Sequence, residues 1–177
     1  MRPLLLLLAC AAAAAHAHVT LEQPQAAAGS SYKAVLRVTH GCEGTATHTV
    51  RVTIPPGFRG AKPMPKPGWT LDVRKEKLAQ PYESHGRTVT DDVVEITWAA
   101  ASREAWLANA HFDEFVLLGQ TPQQPGVLWF KVQQICERGQ WNWSEVPTDG
   151  INTTGLKAPA VPLEVTSSGQ AAHHSHH

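Results

Sequence analysis

The amino-acid sequence predicts an all-β fold: a single-domain, two-sheet β-sandwich of the immunoglobulin or cupredoxin type, closed by one disulfide. Three observations carry this expectation. Apolar and polar residues alternate with period two along most of the chain, as half-buried strands require. Proline and glycine cluster between the alternating runs, as at Pro55-Pro56-Gly57, residues 62–68, His85-Gly86 and Pro125-Gly126, which suits turns. Two cysteines, Cys42 and Cys136, remain once an amino-terminal leader is set aside, an even number that fits an oxidising compartment.

The leader comes first. Residues 1–17 carry a single positive charge at Arg2, then an apolar run over 4–15, then small residues ending Ala15-His16-Ala17. That is the grammar of a secretory signal peptide, and the run is too short to span a bilayer. Cleavage after Ala17 makes His18 the first residue of the mature chain. Two other readings stand beside it: cleavage after Ala15, starting the protein at His16, and lipidation at Cys10 within Leu7-Leu8-Ala9-Cys10. No later segment is apolar for long enough to form a membrane helix, so an exported protein, periplasmic or secreted, is expected, with no membrane span after leader removal.

The strands follow in order. In 34–40, Ala34, Leu36 and Val38 share one face. Residues 47–54 alternate strictly, His48, Val50, Val52 and Ile54 against Thr47, Thr49, Arg51 and Thr53. Trp69, Leu71 and Val73 oppose Thr70, Asp72 and Arg74, and Val94, Ile96 and Trp98 form the apolar side of another strand. Runs 112–118 and 127–135 are longer and more apolar, and 141–146 supplies a last short strand. Residues 62–68 read as a proline-rich turn. Residues 99–110 are the one helical candidate, with Ser102 as a possible cap and Glu104 behind it. From about Gly155 the pattern fades, and Val161-Pro162 reads as a linker or terminal edge strand. Residues 18–165 are the expected sandwich domain, and 166–177, ending His173-His174-Ser175-His176-His177, a disordered tail able to collect metal loosely.

Charge and cysteines narrow the function classes. The whole chain carries 15 basic and 15 acidic residues, and losing Arg2 leaves 14 basic ones. That balance argues against nucleic acid or a strongly anionic surface as partner. The cysteines are expected to pair, the alternative being two separate buried thiols. Pairing would remove about 4–5 kcal/mol of unfolded-chain entropy, given so long a loop.

The residue with the most distinctive chemistry is His18. At a free amino terminus a histidine grips a metal through its α-amine and its imidazole Nδ1 together, and copper(II) favours such a nitrogen chelate. The other histidines carry bland readings: His48 as a satisfied core side chain, His40 as a loop residue beside Cys42. His111 shares a strand face with Asp113 but not with Glu114. No Gly-x-Ser-x-Gly elbow or phosphate-cradling glycine loop is present, so no enzyme is expected.

Five segments stand in order along the chain: His18-Val19-Thr20-Leu21 with Pro24, Gly29-Ser30-Ser31-Tyr32, Lys66-Pro67-Gly68-Trp69, Asp113-Glu114-Phe115, and Trp143-Ser144-Glu145-Val146-Pro147. Together they resemble the YcnI-like copper-binding domain family of exported bacterial β-sandwich proteins. The similarity covers residues 18–162 and rests on the order of these segments. The resemblance implies a copper(II) chaperone or carrier, with the amino-terminal chelate on His18, a tryptophan of the site on Trp143 and a carboxylate on Glu43, with Glu114 in reserve. For Trp143 the ordinary alternative is core packing, and for Glu43 a solvated loop position. Partners implied are the copper ion and a membrane copper transporter or another periplasmic chaperone. Two other function classes stay open: a copper-dependent oxidative enzyme, if His48 or His111 reaches the His18 amine, and a metal-free structural or adhesive sandwich.

Overall fold

A computed structural model describes residues 18–167. The expected leader over 1–17 and the histidine cluster at 173–177 lie outside the described residues. The described chain is a sandwich of two sheets built from β1 (Thr20–Leu21), β2 (Gln25–Ala27), β3 (Ser31–Val38), β4 (Thr47–Thr53), β5 (Arg59–Pro63), β6 (Trp69–Ser84), β7 (Arg87–Ala100), β8 (Asp113–Gln120), β9 (Gly126–Cys136), β10 (Gln140–Trp143) and β11 (Val161–Thr166). The smaller sheet runs β1-β3-β8-β5 and the larger β2-β11-β9-β4-β7-β6, with β10 paired to β9.

Alternation dictates the core. Ala34, Leu36 and Val38 on β3 meet Phe115 and Leu117 on β8, and across the sandwich lie Val50, Val52, Ile96, Trp98, Phe130, Val132 and Leu163, all essentially inaccessible. Edge-to-face rings fill the middle: Trp98 and Trp69 each stand against Phe115, and Phe58 against Phe130, a geometry that adds to simple burial. Cys42 and Cys136 form a disulfide across 94 residues, tying the turn after β3 to the end of β9.

Four features depart from the sequence-based expectation. The 99–110 segment contains only a single 3-10 turn, Arg103–Ala105. Its backbone is drawn off instead, since Leu107 exchanges both backbone hydrogen bonds with Thr47, leaving too short a run to nucleate an α-helix. The Ser102 hydroxyl bonds Glu104 and holds that carboxyl below its ordinary range. Residues 62–63 are not part of a turn but complete β5. β11 is an interior strand, flanked by β9 and a parallel β2, rather than a linker or an edge. Pro162 is tolerated there because pairing with β2 begins only at Glu164. Finally, β4 bulges between Thr47 and Thr49. The extra residue puts Thr47, not His48, into the interior, and His48 lies half-buried against Trp106, its Nδ1 2.9 Å from Thr49 Oγ1.

Candidate metal centre

His18 precedes β1, whose register Thr20↔Arg37 and Leu21↔Leu36 carries the amino-terminal segment along β3 towards Thr39. Val19 and Leu21 are buried, so two apolar anchors on alternate positions fix the direction in which His18 leaves the sheet. The imidazole stands edge-on to Trp143, ring centroids 5.4 Å apart at 75°. It lines a cleft of about 370 Å³ with Leu21, Pro24, Thr153, Pro159 and Pro162.

Trp143 is placed by a change of partner on β9. Residues 126–130 of that strand pair with β11, and residues 132–135 pair with β10. Trp143, opposite Val132, ends β10 where Val161, opposite Phe130, begins β11. The chain between them leaves the sheet at this point, pinned by bonds from Ser144 N to Ala158 O and from Ala160 N to Glu145 O. The tryptophan therefore sits at a seam in the larger sheet, 3 % exposed, with the cleft opening beside it.

At the Nε1 edge of the indole lies Gln134, 1 % exposed. Its amide donates to His40 O at 2.6 Å and to Thr47 Oγ1 at 2.8 Å, and its Oε1 accepts from Trp143 Nε1 at 3.4 Å. Trp141 stacks on Trp143 from the other side, centroids 5.2 Å apart. Both residues escaped the sequence reading although each had a signal. Gln134 is the polar member of the buried series Leu128, Phe130, Val132, and Trp141 is two residues from Trp143 on the same strand face.

Of the residues expected in the site, the structure brings His18 and Trp143 together and places Glu43 in the turn after β3. Glu43 and Gly44, at φ 48° and 73°, are the central pair of the turn closed by Thr45 N on Cys42 O, the left-handed pair that a type I′ turn needs. The Glu43 side chain lies over the β9–β10 turn, where a Cβ built on Gly139 would stand 3.0 Å from Oε1. From Gly139 to Trp143 is four residues of strand, roughly 13 Å. Glu114 is engaged elsewhere: Arg37 bonds it at 2.9 Å and Glu22 at 2.7 Å. His111 is exposed, and the His48 ring packs on Trp106. Among the described residues no group of three or more His, Cys, Asp and Glu side chains converges.

Comparison with known proteins adds family and fold. No curated protein matches the chain. A crystal structure of an uncharacterized protein from Nocardia farcinica, described as revealing an immunoglobulin-like fold, matches with a TM-score of 0.65 and 26% identity over 85% of this chain and 99% of that one. The family model "Domain of unknown function (DUF1775)" matches residues 18–165, beginning at His18 itself. The chain thus belongs to the DUF1775 family, the YcnI-like domain.

Proposed function

We propose that the mature protein is an exported copper(II)-binding protein that buffers the ion or hands it to a membrane transporter or another chaperone, without catalysing a reaction. The observation that carries this reading is the contact between His18 and Trp143. The residue that leader removal would make amino-terminal is held edge-on to a buried indole at 5.4 Å, beside a cleft. A chelating terminus on a loose arm would pay more ordering entropy on binding than one already docked by Val19 and Leu21.

The donors suit the metal. Imidazole and amine nitrogens are what a tetragonal copper(II) site prefers, and both would come from His18. Water and a carboxylate, Glu43 by the family resemblance, would complete the plane, so the ion would remain exchangeable, as a carrier needs. The indole of Trp143 would cover one face, sealing it from bulk water.

The test compares mature protein beginning at His18 with the same protein acetylated at its α-amine, both truncated after Ser167. Copper(II) titration with electron paramagnetic resonance should show a tight nitrogen-ligated site in the first and its loss in the second. Equal affinity and identical spectra in the two would overturn the proposal.

A further inference from the structure

At the edge of the smaller sheet farthest from β1, a second pocket is built from different chemistry. It holds about 310 Å³ and is lined by Ser31, Arg59, Lys62, Tyr82, Ser84 and His85, together with Leu118 and the β8 backbone. No carboxylate lines it. From this arrangement the geometry points to a binding site for a small molecule bearing two or more carboxylates, or a phosphate group, held between Arg59 and Lys62. The site shares no residue with the copper reading and stands or falls independently of it.

A bulge puts the two cations on one face. Residues three apart on a regular strand point to opposite sides. In β5, however, Arg59 lies opposite Gln120 and Lys62 opposite Leu118, with the register slipping between them. Gly60, at φ 60°, absorbs the kink. Lys33 faces Leu118 from the other flank on β3, adding a third cation next to the pocket.

Arg59 is also held in place. Its guanidinium lies over the Tyr82 ring, 4.5 Å from the centroid, and the Tyr82 hydroxyl donates to Asp92 Oδ2 at 2.7 Å. Asp92 is 8 % exposed and also accepts from Gly60 N and Val93 N. Its charge is thus spread over three donors behind the ring rather than presented to the pocket. Glu83, between Tyr82 and Ser84, bonds Thr88 and faces away. Elsewhere Arg37, Arg51, Arg74 and Arg103 are each paired with a glutamate, whereas Arg87 and Arg138, like Arg59, are not among the described ion pairs. Arg59 and Lys62 form no ion pair among the described residues, and a stacked guanidinium with its edge free is the geometry that takes an oxyanion in two parallel hydrogen bonds.

The experiment uses mature protein and titrates citrate and inorganic phosphate calorimetrically, with flotation on phosphatidylglycerol vesicles as a second arm. Citrate or phosphate should bind, and Arg59→Gln and Lys62→Gln should each weaken binding about tenfold or more. Arg59→Lys should lose part of the affinity by surrendering the fork, while Lys157→Gln leaves it unchanged. Binding confined to vesicles, with the same dependence on Arg59 and Lys62, would identify a lipid headgroup as the source of the anion. Failure of all three probes to bind, or binding indifferent to both substitutions in variants whose thermal unfolding matches the parent, overturns the proposal.

Discussion

Gln134 joins the candidate site to the core through three hydrogen bonds. Replacing it with leucine keeps the volume and removes the amide. His40 O then loses a 2.6 Å donor, Thr47 Oγ1 loses one at 2.8 Å, and Trp143 Nε1 loses its long 3.4 Å acceptor. An orphaned buried polar group costs about 1–3 kcal/mol. The Thr47 hydroxyl retains Cys136 Sγ at 3.5 Å and the indole contact is weak at its length, so the largest share falls on the lost bond to the His40 carbonyl, the shortest of the three. Allowing about 1 kcal/mol back for the better buried leucine, Gln134→Leu should lose about 1–2 kcal/mol. For a domain of this size that is a fall in Tm of roughly 2–8 °C. Urea unfolding followed by tryptophan fluorescence measures it, with the slope m unchanged if only the native state is affected. A variant within about 0.5 kcal/mol of the parent would show that the amide network carries no weight and that Trp143 is held by packing alone.

Two further outcomes follow from the packing and the electrostatics. Gly119→Ala would place a Cβ 2.2 Å from Phe58 Cε1 and 3.0 Å from Arg59 O. Because Phe58 is locked against Phe130 and Tyr32, thermal unfolding should show a loss of about 1–3 kcal/mol; an unchanged Tm would mean the Phe58 ring has room to move. The chain's two tyrosines should titrate late. Burial, then Glu22, pushes Tyr32 up to about 12, and burial, then the bond to Asp92, does the same for Tyr82. The unfolded phenols ionise near 10, so folding retains protons there and stability is unaffected below that pH and falls between about 10 and 12. Ultraviolet difference absorbance should show tyrosinate forming near 10 in urea and near 12 in the folded protein; coincident curves would refute this.

How much was legible beforehand depends on whether the feature is local. The strand runs on β3, β4, β7, β8 and β9, the face that Ala34, Leu36 and Val38 bury on β3, and the even cysteine pair all follow from alternation and counting. So does the prominence of His18, since a leader grammar is read from a few consecutive residues. Where the reading failed, a non-local choice intervened. Thr47 rather than His48 turns inward because β4 bulges against β9, and one inserted residue reverses the phase of everything before it. Val161–Thr166 became an interior strand because β2 pairs beside it, which no property of those six residues announces.

The candidate sites divide the same way. Sequence alone singled out His18, behind a leader-like segment, with Trp143 and Glu43, and passed over Trp141, Gln134, Arg59 and Lys62. Tertiary structure decided which of them meet. It set His18 against Trp143 at the seam where β9 exchanges β10 for β11, left Glu43 over Gly139, and turned Arg59 and Lys62 to one face through the bulge at Gly60. The physical reason is that side-chain direction in a strand is local, whereas register and partner are set by closing the whole core.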